Sequence, residues 1–127
     1  MNKIILTLVL VIVAGSLHAQ DAVPANKKFM QITTVESVIS GGLGRSKMIV
    51  TNADGTQTES DMENLFSMVG INFKNIKENE NQIVRTLKTY TDDGWKLDQV
   101  IPFALSPSEK SSGIFLTRYL LSKTIEK

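Results

Sequence analysis

Apolar and β-branched residues are concentrated in two stretches in the first half of the chain, and this pattern predicts two β-strands. Phe29–Ile39 and Lys47–Thr51 are rich in Val, Ile and Thr, whose branched side chains favour an extended backbone. Asp54 and Gly55 come after the second stretch, and such a pair tolerates the positive φ of a tight turn. We therefore predict that the two strands form a β-hairpin and that a turn and loop follow them.

A helical spacing of apolar residues follows in the middle of the chain, over Ser60–Tyr90. Ser60 and Glu63 have the separation of a capping box, in which each side chain bonds the other residue's backbone N–H. This predicts a short helix over Asp61–Val69. The polar stretch KENEN interrupts the apolar spacing, and a main helix is predicted over Glu78–Asp92.

The C-terminal part of the chain returns to a strand pattern after Gly94, which supplies a left-handed helix cap. Trp95–Leu105 alternates with one apolar face, and Pro102 marks it as an edge strand. Ile114–Lys123 has apolar residues at both odd and even positions, which is typical of a strand inside a sheet. The order β-β-α-α-β-β predicts an α+β fold, with a small antiparallel sheet of about four strands and one or two helices packed on one face.

The N-terminal residues have the layout of a secretory signal peptide, with Lys3, an apolar run over Ile4–Gly15 and a small-residue exit. The run is shorter than the roughly 20 apolar residues that a helix needs to cross a bilayer. We therefore expect no stable membrane anchor after cleavage, and export to the periplasm or the exterior of a bacterium. Cleavage is predicted after Ala19, with Ala22 and Ala25 left open.

The composition of the chain limits the kinds of partner that it is expected to bind after cleavage. No Pro-rich, Ser-rich or single-charge block marks a linker, so residues 1–19 are predicted to be the signal peptide and residues 20–127 a single domain. The formal net charge of the whole chain is only +1. Binding to a phosphate backbone requires a basic excess, so we expect no nucleic acid. The partner is expected to be a protein or a small ligand, and a homo-oligomer is left open.

The absence of two residue types narrows the chemistry. The chain has no cysteine, and its single histidine, His18, lies in the predicted leader. A domain without either residue has no Ser-His-Asp triad, cysteine nucleophile or usual zinc site. We therefore expect a non-enzymatic binding or accessory module with no catalytic residue, cofactor or metal. Two alternatives stay open: a carboxylate-dependent enzyme, hydrolytic or metal-assisted, and a self-assembling subunit that adds strands at the edge marked by Pro102.

Four residues around Gly94 are the candidates for ligand binding. Paired acids can share a proton or bind a hard cation, and a tryptophan can stack on a sugar or a base. Neighbouring helical residues point about 100° apart, however, so a solvated corner is the competing interpretation. A tryptophan directly after a helix cap also commonly closes the core. The candidates are Asp92, Asp93, Trp95 and Asp98. The three aspartates among them also mark the carboxylate-enzyme alternative.

The stretch LKTYTDDGWKLDQV from Leu87, together with the terminal IFLTRYLLSK, resembles a family of short bacterial domains of unknown function. Its signature is a helix followed by a Gly-Trp-Glu-Leu-Val strand and a final strand rich in Tyr, Leu and Lys. The resemblance covers about Asn79 to Lys123. Lys96 stands where the family has Glu, and Asp98 stands where it has an apolar residue. The resemblance implies a small α+β fold and no activity, cofactor or residue role.

Overall fold

The computed structural model describes residues 26–39, 45–106, 108 and 113–125. Within these residues the chain forms seven strands and one helix, and the predicted α+β class is confirmed. The elements in chain order are β1 (Lys27–Ser37), β2 (Ser46–Thr51), β3 (Gln57–Met62), β4 (Phe66–Ser67), β5 (Gly70–Ile71), α1 (Phe73–Asp92), β6 (Lys96–Leu105) and β7 (Ile114–Thr124).

The main sheet has five strands in the order β3-β2-β1-β7-β6, and all its pairings are antiparallel. The prediction of about four strands was therefore one too few, and the order of elements also differs. β7 lies inside the sheet and β6 at its edge, which agrees with the apolar pattern of the first and with Pro102 in the second. β4 and β5 form a separate two-stranded hairpin. Helix α1 covers one face of the main sheet, and we call the other face the open face.

The predicted helix over Asp61–Val69 is wrong. Ser60 instead lies in β3, opposite Met48 of β2. The turn at Asp54-Gly55 closes this hairpin, with Gly55 at a φ of 85° and the Asn52 N–H donating to the Thr56 carbonyl at 2.8 Å. A capping box acts only on the first helical turn, whereas the hairpin gives the segment a continuous ladder of backbone hydrogen bonds.

Helix α1 begins earlier than predicted, at Phe73 rather than Glu78, because Asn72 supplies the N-terminal cap. The Asn72 side chain accepts a hydrogen bond from the Asn75 N–H at 3.3 Å, which satisfies one of the free donors of the first turn. The predicted end at Asp92 is confirmed. Gly94 follows with a φ of 84°, the left-handed conformation that turns the chain toward β6.

The core lies between α1 and the sheet. It contains three methionines, whose flexible side chains fill irregular space, and Ile32 and Leu121 are its most completely buried apolar residues. Ile83, Leu87, Tyr90 and Tyr119 pack around it half-buried. The core residues are Met30, Ile32, Met48, Val50, Met62, Trp95 and Leu121.

A β-bulge in β6 changes which face its side chains occupy. The register with β7 shifts between Leu97 and Gln99, so Asp98 is the extra residue. Leu97 pairs with the core residue Leu121 on the α1 side, whereas Ile101 pairs with Arg118 on the open face. The prediction of one apolar face for the whole strand is therefore wrong, because a one-residue insertion reverses the alternation.

The signal-peptide prediction for residues 1–19, the start of the predicted domain and all three candidate cleavage positions lie outside the described residues. Among the described residues, no helix combines the length and apolar character that crossing a membrane requires.

Candidate functional site

The two adjacent acids at the end of α1 bind different lysines. Asp92 forms an ion pair with Lys88 one turn earlier on the helix, with 2.8 Å between carboxylate and ammonium. Asp93 forms an ion pair with Lys123 of β7 at 3.1 Å, and the Lys123 ammonium also donates to the Asp93 carbonyl. The two carboxylates therefore hold separate cations and do not form a joint site.

Asp98 lies at the bulge of β6 and is exposed. It forms no ion pair with another described residue. The described residues contain no group of three or more His, Cys, Asp or Glu that could hold a metal ion. The third acidic candidate is therefore not brought together with the other two.

Trp95 closes the core at the C-terminal end of α1 and is buried. Its backbone N–H donates to the Tyr90 carbonyl at 3.0 Å, which fixes the chain where it leaves the helix. The Lys28 ammonium lies 5.4 Å from the centroid of the indole ring, within the range of a cation–π interaction. Core packing and this lysine leave little of the ring open for stacking with a ligand.

Asp93 makes the stability of this corner depend on pH. The hydrogen bond and positive charge of Lys123 lower the pKa of Asp93 below its ordinary value of 3.8, and a hydrogen bond from Trp95 adds to this. A lowered native pKa means that ionised Asp93 stabilises the fold above the unfolded-state pKa. This contribution is lost as the pH falls below about 4, through the native pKa.

We expect Asp93→Asn to reduce the loss of stability on the acid side, because the variant has no carboxylate to protonate. Lys123→Gln should have the same effect, since it removes the cause of the pKa shift. Urea unfolding of the wild type and both variants between neutral pH and the acid limb measures this. If both variants lose stability at low pH as steeply as the wild type does, the ion pair does not contribute to the stability of the fold.

The β6–β7 hairpin carries an exposed apolar surface. All ten residues of β6 are exposed, including Phe103, whose exposed fraction is 53%. Because of the bulge, these side chains lie on both faces of the sheet. We define the hairpin surface as Leu97, Val100, Ile101, Phe103, Leu105 and, from β7, Phe115.

A second exposed apolar group lies at the turn between β4 and β5. Met68 and Val69 are 89% and 96% exposed, and Gly70 follows with a φ of 117°. The Asn72 N–H donates to the Leu65 carbonyl at 2.9 Å, so the two ends of this small hairpin are held together. We call Met68, Val69 and Ile71 the β4–β5 tip.

The tip and the outer part of the hairpin surface lie toward the same end of the domain. The Leu65 N–H donates to the carbonyl of Ser37, the last residue of β1, at 3.3 Å. Ser37 pairs with Ile114 of β7, and Ile114 pairs with Leu105 of β6. Leu65, directly before β4, is therefore bonded to the end of the sheet at which β6 finishes. We call the tip together with the outer part of the hairpin surface, Phe103, Leu105 and Phe115, the apolar end.

Pro102 limits how another chain can use the free edge of β6. Proline has no backbone N–H, so an added strand would meet a gap in the row of donors near the middle of β6. Proline on an edge strand is a common protection against such pairing. The accessible feature of β6 is therefore its side chains.

Strands β6 and β7 were predicted from the sequence, but the β4–β5 tip and the exposed apolar surface were not. One pattern in the sequence could have indicated the exposed surface. Ile114–Lys123 has apolar residues on both faces of the strand, although a sheet that is covered on one face needs apolar residues only on that face. The interpretation of residues 61–69 as a helix hid the β4–β5 tip.

Comparison of the chain with protein-family models, with curated protein sequences and with solved structures finds no match.

Proposed function

We propose that the protein is an exported, non-enzymatic binding module that holds a protein partner against its apolar end. The observation that carries this proposal is the exposure of the whole of β6 with its large apolar side chains. Exposed apolar groups of this kind mark interaction surfaces in soluble domains. Export rests on the leader pattern of residues 1–19.

The shape of the apolar end favours a protein over a small ligand. Small ligands bind in concave sites that enclose most of their surface. Met68 and Val69 instead project from a turn, and the hairpin surface extends over both faces of a strand. A partner that covers such a surface must itself be large and apolar, as the core of a protein interface is.

Acidic side chains near the tip favour a protein over a membrane. Glu63 and Glu78 are exposed and line a cavity beside the start of α1 together with Lys74. Anionic lipid surfaces attract basic clusters and repel acids. The mixed charge at this end therefore suits the polar rim of a protein interface.

The two alternatives have less support. For a carboxylate-dependent enzyme, Asp92 and Asp93 would have to converge, and each is held by a different lysine. For a self-assembling subunit that adds strands, Pro102 interrupts the edge of β6. A second copy that packs on side chains remains compatible with the apolar end and is one outcome of the test below.

The test replaces exposed residues of the apolar end and compares them with a matched position. A photo-crosslinking residue at 69 or 103, introduced in cells that export the protein, identifies the partner. Binding of the purified partner is then measured by calorimetry. We expect Val69→Ser and Phe103→Ser each to weaken binding about tenfold, the loss typical of an apolar contact at an interface. Val84→Ser is the control, because Val84 is an exposed valine in the middle of α1.

Equal affinities for all three variants would overturn the proposal, as would crosslinking to lipid alone. If the crosslink joins two copies of the chain, light scattering should show a dimer that Phe103→Ser dissociates. The partner is then the second copy.

A further inference from the structure

The end of the sheet opposite the apolar end carries a cavity lined by lysines. Lys27, Lys96 and Lys123 line it, together with Gly94, Ser122 and Thr124, and its volume is about 330 Å³. Three elements contribute these residues: β1, β6 and β7. The register of the sheet brings them together, since Lys27 pairs with Thr124 and Lys96 pairs with Ser122.

The lysines are only partly neutralised. Lys123 binds Asp93, and ionised Asp93 balances its charge. Lys27 and Lys96 are exposed and form no ion pair with another described residue. Among the described residues that line the cavity there is no carboxylate. Like charges around one cavity repel each other, and an anion in the cavity relieves this repulsion.

Hydroxyl groups complete the set of donors. Ser122 is buried beside Lys96, and Thr124 lies in the same strand. The two uncompensated ammonium groups suit a group with two negative charges, and a phosphate monoester carries about −1.5 to −2 at pH 7. Lysine ammonium groups bind phosphate as point charges, and hydroxyls add hydrogen bonds to its oxygens.

The structure assigns this cavity as a binding site for a phosphate monoester, held by the Lys27 and Lys96 ammonium groups and by the hydroxyls of Ser122 and Thr124. Its volume is at the lower end of the roughly 300–1,000 Å³ of small-molecule sites, so it accommodates the phosphate with a small attached group. The site lies at the other end of the sheet from the apolar end, and it goes beyond the proposed function because it does not depend on a protein partner.

The test follows the backbone amide signals of Gly94, Ser122 and Thr124 by NMR during titration with inorganic phosphate, against sodium chloride at the same ionic strength. We expect saturable shifts with phosphate only. Lys27→Gln with Lys96→Gln should weaken binding about a hundredfold, because each charged hydrogen bond lost weakens it about tenfold. The control is Lys74→Gln with Lys77→Gln, which removes the same charge from exposed positions of α1 and should leave the affinity unchanged.

Both lysines of the test variant are exposed, so we expect the fold to be retained, as circular dichroism checks. Lys96→Arg keeps the positive charge and should retain binding while Lys96→Gln weakens it. Glycerol phosphate and vesicles that contain phosphatidic acid distinguish a free phosphate ester from a lipid headgroup. Identical shifts with phosphate and chloride, or full affinity in the double Lys→Gln variant, would overturn the assignment.

Discussion

We expect Asn79→Ala to lower the free energy of unfolding by about 3 kcal/mol, because one buried amide joins three parts of the chain. Asn79 lies inside α1 and is 1% exposed. Its Oδ1 accepts from the Glu63 N–H at 2.8 Å. Its Nδ2 donates to the Glu63 carbonyl at 2.8 Å and to a carboxylate oxygen of Glu36 at 2.9 Å. The alanine leaves these groups unpaired and opens space beneath the helix.

Urea unfolding with linear extrapolation measures this loss. Asn81→Ala is the matched control, since Asn81 is exposed on the same helix; its effect should stay within about 0.5 kcal/mol. Asn79→Asp tests the direction of the hydrogen bonds. It keeps an acceptor for the Glu63 N–H but places a carboxylate against the Glu36 carboxylate and the Glu63 carbonyl, so it should be at least as harmful as alanine. Equal stability of the two alanine variants would contradict the role of Asn79.

We also expect Ile32→Ala to lower the free energy of unfolding by about 3 kcal/mol. Ile32 is 0% exposed and lies in β1, the central strand of the sheet. Truncation of a buried isoleucine to alanine costs about 2–5 kcal/mol, depending on how far the cavity collapses. The methionines among the core residues, including Met30 and Met48, can move into part of the space, which places the expected loss below the top of that range.

Ile101→Ala is the control with the same chemical change. Ile101 is 42% exposed on β6, so its truncation should cost about 1 kcal/mol or less. The difference between the two urea midpoints separates core packing from intrinsic strand preference. Similar losses at both positions would show that the apolar surface of β6 is packed as tightly as the core.

The parts of the fold that could be predicted depend on local chemistry. The turn at Asp54-Gly55 and the cap at Gly94 both need a positive φ, and glycine in each place indicates it directly. The interior position of β7 follows from the apolar residues that it carries at both odd and even positions. These signals act within a few residues, so one sequence is enough to recognise them.

The parts that could not be predicted depend on register between distant segments. β3 is polar, and only its pairing with β2 makes Ser60 a strand residue rather than a helix cap. The bulge at Asp98 is a single inserted residue that reverses the faces of β6. Lys27 and Lys96 likewise share a cavity only because β7 lies between their strands. None of these features has a local signature.

The position of β1 between β2 and β7 has a consequence for the rate at which the protein folds. The ladder between β1 and β7 runs from Lys27 opposite Thr124 to Ser37 opposite Ile114, so it joins the two ends of the described chain. Contacts between such distant residues form slowly, because the chain loses loop-closure entropy before any contact is gained. The turn between β2 and β3 can close early, but the centre of the sheet is completed only after the last residues of β7 have left the ribosome.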